Sequence, residues 1–156
     1  MPTTFNYAFS APINPPNVTP TLTKPQVWAG LERKMRFAHE FVPVITSCEV
    51  LEDKDGVVTR VVKFEEGTGP GMDVAKEVVK GFKPAWVDFE QENGAHIRNV
   101  ISETDAGLFM TYMFEIRYGK DLKGDEADTE YERMAKHAVD SSIDVMREMV
   151  KDGRVQ

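Results

Sequence analysis

Near the start of the chain Phe5, Tyr7 and Phe9 alternate with Asn6, Ala8 and Ser10, the two-residue period of a strand with one buried face. Pro12, Pro15 and Pro16 end it. Thr23-Lys24-Pro25-Gln26 then has the form of a capping box with proline tolerated in the first turn. Trp28, Leu31 and Met35 follow at spacings of three and four, which predicts a helix from about Lys24 to His39, with Phe41 and Val42 packing its exit and Pro43 closing it. From Val44 the pattern changes to short strands parted by turn signals. Val44–Glu52 and Val57–Glu65 flank the turn Asp53–Gly56, a hairpin. Val74–Phe89 is apolar-rich and extended, with Gly81 and Pro84 marking a bulge or bend, and the glycine-rich run Gly67–Gly71 before it cannot be strand. Asn93-Gly94 joins this segment to Ala95–Glu103, and Asp105-Ala106-Gly107 joins that strand to Leu108–Tyr118. Last, Tyr131, Ala135, Ala138, Ser142, Val145, Met146 and Met149 form one stripe of a helix from about Asp128 to Lys151, stopped by Gly153.

One strand, a short helix, a run of strands and one long amphipathic helix make an α+β domain over residues 1–156. The expected architecture is a curved antiparallel sheet of six to seven strands wrapped around the C-terminal helix. Such a sheet leaves an apolar space against its helix, where a ligand would sit.

Composition narrows the partner. With 156 residues, 41% hydrophobic and 29% charged, the chain has an ordinary globular make-up and needs no second domain. Its net charge of −7 argues against a nucleic-acid or anionic-membrane surface. Cys48 is the only cysteine, so an internal disulfide is impossible and a reducing compartment is expected. Met1–Ser10 has neither a basic leader nor an apolar core, and no stretch reaches the roughly 18 apolar residues of a membrane span. The expectation is a cytoplasmic monomer or homodimer whose partner is a hydrophobic small molecule.

The strand phases select candidate chemistry. In the last strand Leu108, Met110, Tyr112, Phe114, Ile116 and Tyr118 share the face expected to point inward, and a buried Tyr112 phenol needs a hydrogen-bonding partner that a ligand can supply. With Ile97 and Ile101 inward, Asn99 becomes a buried amide, either pinning a bulge or touching a ligand. Val58, Arg60, Val62 and Phe64 place a single arginine in an apolar phase. Arg60 either enters the cavity to meet a carboxylate or enolate, with Asp88 as its acidic partner, or packs its stem at an edge with a wet head. Trp86 and Asp88 alternate with Val87 and Phe89, and only one pair can line the interior. If it is the first, Asp88 becomes a general acid or base. Arg60, Tyr112 and Asp88 are therefore the catalytic candidates. Trp28, Trp86, Asn99, Met110, Phe114, Met146 and Met149 are the candidate ligand contacts. His39, His96 and His137 are scattered without a metal-ligand spacing, and His96, just past a turn, reads as a residue of the cavity mouth. The Gly67–Gly71 run lacks the Gly-Lys-Ser/Thr ending of a phosphate loop, and no Gly-x-Ser-x-Gly elbow occurs, so neither a metal nor a cofactor is expected.

The run Thr23–Lys34, then Phe41-Val42-Pro43, Cys48–Glu52, Asn99–Glu103 and Leu108-Phe109, together with the C-terminal helix, resembles the AtaL-like family. That family belongs to the START and birch-pollen-allergen-like superfamily with its helix-grip fold. Some members are encoded in fungal natural-product clusters, and the namesake belongs to an epidithiodiketopiperazine pathway. The resemblance implies a hydrophobic cavity between sheet and long helix, with any chemistry done by a few polar wall residues, and it carries no catalytic motif. Three functions are thus in play. The first is a cofactor-independent cyclase, isomerase or lyase of secondary metabolism, working by shaping a flexible substrate. The second is a carrier or sensor of a lipid-like ligand, and the third a stress or chaperone-partner module. Under the first, replacing Arg60 or Tyr112 is expected to cost function and spare the fold.

Overall fold

The structure, a computed structural model, describes residues 3–67, 73–118 and 124–156. Strand β1 (Thr3–Pro12) is followed by helix α1 (Lys24–Arg36), a single 3-10 turn (Ala38–Glu40), and strands β2 (Ile45–Lys54), β3 (Val57–Phe64), β4 (Val74–Phe82), β5 (Trp86–Gln91), β6 (His96–Thr104) and β7 (Gly107–Tyr118). Helix α2 (Gly124–Asp152) ends the fold. The strands form one seven-stranded antiparallel sheet in the order β1-β7-β6-β5-β4-β3-β2. None of the helices among the described residues is long and apolar enough to cross a membrane. Residues 68–71 of the glycine-rich run lie outside the described residues.

Three boundaries differ from the sequence expectation, the first two for a physical reason. Helix α1 stops at Arg36 rather than His39 because a side chain from the sheet takes its last carbonyls: Arg60 Nη1 donates to Lys34 O at 2.8 Å and to Met35 O at 2.9 Å. The extended stretch Val74–Phe89 is two strands, since the turn at Phe82–Ala85, with Ala85 N donating to Phe82 O, reverses the chain. Helix α2 begins at Gly124, one turn before Asp128.

The strand phases fall as the alternation demands. Phe5, Tyr7, Phe9 and Ala11 stand opposite Ile116, Phe114, Tyr112 and Met110. Asn99 stands opposite Tyr112, and Ile101 opposite Met110. All these residues face the helices, so the concave side of the sheet is a continuous apolar surface. The capping box holds as read, with Gln26 N donating to Thr23 Oγ1 and Thr23 N to Gln26 Oε1. Helix α1 crosses α2 at Gly30, where a methyl group would sit 2.7 Å from Met146 Cγ. Glycine weakens a helix by about 1 kcal/mol, and here it lets the two helices touch. Arg147 of α2 is buried and donates to Ile13 O, Pro20 O and Asn14 Oδ1, fastening the β1–α1 connection across the same end.

Candidate functional site

Two rows of polar side chains cross the concave face, and strand register makes both. Arg60 of β3 stands opposite Glu77 of β4, and Glu77 opposite Gln91 of β5. Arg60 Nε and Nη2 donate to Glu77 Oε1 at 3.0 and 2.8 Å, and Gln91 Nε2 donates to Glu77 Oε2 at 3.0 Å. With the two α1 carbonyls, four of the five Arg60 N–H groups are committed. The second row is the directly opposed pair Asn99 of β6 and Tyr112 of β7.

Lys34 of α1 reaches down between the rows. It is 7% exposed, and its Nζ donates to Asn99 Oδ1 at 2.9 Å and to Tyr112 Oη at 3.0 Å. The same atom lies 4.6 Å from the Tyr112 ring centroid and 5.4 Å from that of Phe89, whose other neighbour is the Arg60 guanidinium at 5.2 Å. Both hydrogen-bond acceptors are neutral. Burial, aided by the positive charge of Arg60 and opposed by Glu77, pulls the Lys34 amine down to about 7, so the uncharged form is well populated at neutral pH. Burial also pushes the Tyr112 phenol up, tempered by a hydrogen bond with Ser142 of α2, so the phenol keeps its proton.

These groups form one wall of a cavity of about 200 Å³, otherwise lined by Phe5, Phe89, Ile97, Phe114 and Ile116 from the sheet and Tyr131, Ala135 and Ala138 from α2. Met134, 45% exposed, lies at its rim. The volume is below the roughly 300–1,000 Å³ of drug-sized pockets, so it suits a compact ligand or one end of a longer one. Two buried polar atoms of this wall have no partner among the described residues: Asn99 Nδ2, a donor, and Gln91 Oε1, an acceptor. Each amide spends its other end on Lys34 or Glu77, which turns the unpartnered atom away from that bond.

Of the candidates read from the sequence, Arg60, Tyr112, Asn99 and Phe114 converge on this cavity. Trp28, Met110, Met146 and Met149 are buried in the main core cluster and do not line this cavity. Trp86 and Asp88 belong to the outer face, because Val87 and Phe89 take the inward phase. Asp88 accepts Arg98 Nε at 2.5 Å there, with His96 Nε2 at 3.8 Å, and Trp86 stacks on Phe82 with ring centroids 5.2 Å apart. Asp88 is therefore not the partner of Arg60, which is Glu77. His96 shares the outer face and is not at the mouth of the cavity between sheet and helix.

Lys34, Glu77 and Gln91 were not singled out from the sequence. Their signal was present: Lys34 continues the stripe Val27, Leu31 at helical spacing, Glu77 sits between Ala75 and Val79, and Gln91 follows Val87 and Phe89 in the same strand phase. A polar residue in an apolar phase marked each one.

The sequence matches the family described as AtaL, acetylaranotin biosynthesis cluster protein L, over residues 7–153. No curated protein matches it significantly. Among solved structures the fold is similar to the di-domain ARO/CYC StfQ from the steffimycin biosynthetic pathway, with a TM-score of 0.72 at 8% identity over 97% of this chain and 52% of that one. It is similar to the di-domain ARO/CYC BexL from the BE-7585A biosynthetic pathway, with a TM-score of 0.64 at 12% identity over 93% of this chain and 49% of that one. The Zhui aromatase/cyclase from Streptomyces sp. R1128 gives 0.59 at 16% identity, covering 97% and 94% of the two chains. This chain spans about half the length of the two di-domain proteins, and at these identities the likeness is one of fold. A family match over residues 7–153, borne by a curved seven-stranded sheet gripping a long helix, makes this chain a member of the AtaL family with a helix-grip fold.

Proposed function

We propose that the chain binds a compact hydrophobic small molecule in the cavity between sheet and α2 and acts on it as a cofactor-independent cyclase, isomerase or lyase of secondary metabolism. The observation that carries this reading is the composition of one cavity wall. Lys34, Asn99 and Gln91 line a largely apolar cavity, and Asn99 Nδ2 and Gln91 Oε1 are buried without a partner among the described residues. Leaving a buried polar group unpaired costs about 1–3 kcal/mol, and a ligand bearing one acceptor and one donor would satisfy both. The apolar walls would hold such a ligand in one conformer, and Tyr112 Oη and Asn99 Nδ2 would stabilise charge developing on its oxygen. Support of a different kind comes from the biosynthetic-cluster name of the family and from the aromatase/cyclase titles of proteins with the same fold.

The committed geometry of Arg60 assigns it a supporting part. It fixes the end of α1, and so the root of the Lys34 side chain, and it biases that amine toward its neutral form. Native mass spectrometry of the purified protein, with release and re-incubation of whatever co-purifies, tests the proposal. A metabolite that returns chemically changed supports an enzyme, while one that returns unchanged makes the protein a carrier.

A further inference from the structure

Lys34 would be an expensive choice for a structural residue. Methionine or leucine would fill the same space without desolvating an amine, and Asn99 and Tyr112 hold it with neutral oxygens where a carboxylate would have stabilised the cation. The uncharged amine has two hydrogens and one lone pair. With both hydrogens donated, to Asn99 Oδ1 and Tyr112 Oη, the lone pair takes the remaining tetrahedral direction at Nζ, beside the cavity that Lys34 lines. A neutral, oriented amine in an apolar pocket is a nucleophile toward carbonyl carbon.

We propose that Lys34 Nζ forms an imine with a compact ketone or aldehyde bound in this cavity. The inference rests on the cavity being a ligand site, as proposed above, and adds the class of ligand and the bond it forms. The lone pair attacks the carbonyl carbon, forming the C–N bond while the carbonyl π pair moves to oxygen. Asn99 Nδ2, a buried donor without a partner among the described residues on the amide that Lys34 already touches, is the group to receive that oxygen. The oxygen takes up a proton, and the carbinolamine loses its hydroxyl, with a second proton, as one water. Nitrogen, having given up both hydrogens, is left as the C=N imine. Nothing is oxidised or reduced, and addition of one water reverses the step. Protonated at nitrogen, the imine acidifies the neighbouring C–H, and loss of that proton gives an enamine whose carbon can attack a second carbonyl and close a ring.

Acetylacetone is the probe, because its amine adduct is a conjugated enaminone with its own ultraviolet band. Intact-mass analysis of the folded wild-type protein is expected to show one adduct, of mass one probe less one water, mapped by peptide sequencing to Lys34. The band is expected to be lost in Lys34→Met and in Lys34→Arg, whose folding is checked by circular dichroism. Cyclohexanol, which has no carbonyl, serves as the second probe and is followed by NMR at the Ala135 and Ala138 methyl groups. If cyclohexanol shifts these methyls and acetylacetone labels only surface lysines, the imine is overturned and the cavity stands. If neither probe reaches the site, both readings fall.

Discussion

The two ends of the space between sheet and α2 are built from the same elements and differ in what fills them. At the Gly30 end Leu22, Val27, Met110, Met146 and Met149 pack into one buried cluster, and the buried Arg147 is spent on loop carbonyls. At the other end Arg60, Glu77, Gln91 and Asn99 stand on the concave face with Lys34 of α1 reaching down to them, and α2 offers Tyr131, Met134, Ala135 and Ala138 against them. One end contributes stability by burial, at about 1.5–3 kcal/mol for each large apolar side chain. The other gives up part of that contribution to keep an amine and two amides beside a largely apolar space. Residues whose replacement costs stability should therefore separate from residues whose replacement costs function, with Arg60 belonging to both sets.

The largest effect is expected at that overlap. Arg60→Ala leaves Glu77 as an unpaired buried carboxylate and frees the Lys34 and Met35 carbonyls, so urea denaturation should show a loss of about 3–5 kcal/mol. The strand pattern alone implies that Arg60 can be replaced without harm to the fold, and its contacts with Glu77 and the α1 carbonyls argue the reverse. Met149→Ala, deep in the packed end, should cost about 2–5 kcal/mol and leave ligand binding unchanged when compared at a temperature where both proteins are folded.

Lys34→Met should act in the opposite direction. The amine ionises near 7 in the folded chain against 10.5 in the unfolded one. Between those values the unfolded state binds more protons, so wild-type stability rises with pH by up to about 1.4 kcal/mol per unit. Below pH 7 both states are protonated and the full cost of the buried cation is present. The groups facing Lys34 are Arg60, Glu77 and Tyr112, on three different strands, and the variant keeps all three. It should therefore be more stable than wild type at pH 6, with an advantage that shrinks as pH rises toward 10. Tyr112→Phe removes the hydroxyl that Lys34 and Ser142 meet and should cost about 0.5–1.5 kcal/mol for each hydrogen bond lost, while weakening ligand binding or turnover tenfold or more. Equal loss of binding in Met149→Ala and Tyr112→Phe would erase the distinction between the two ends.

Periodicity carried most of the architecture, because strand phase and helix stripe are both set by which side chains must leave water. It turns Tyr112, Asn99 and Phe114 inward from single-strand patterns and leaves Arg60 open between cavity and edge, and the structure places all four on the cavity. Its limit was depth along the sheet. Alternation assigns a side chain to a face but not to an end, so Trp28, Met110, Met146 and Met149 were read as ligand contacts although they lie in the packed core. Partner choice was equally hidden: Arg60 meets Glu77 because β3 and β4 pair in one register, and a shift of one residue would have turned Glu77 outward. Lys34 went unnoticed because lysine on a helix is ordinarily a solvated residue, and only the sheet beneath α1 makes this one buried.

The central claim is that a buried amine, poised between charged and neutral, faces the cavity. Selective isotope labelling of lysine and an NMR pH titration of the Lys34 ε-carbon resonance tests it most directly. The account predicts a transition near pH 7 that moves when a ligand occupies the cavity. A transition close to 10.5, the ordinary value for a solvated lysine, would contradict it.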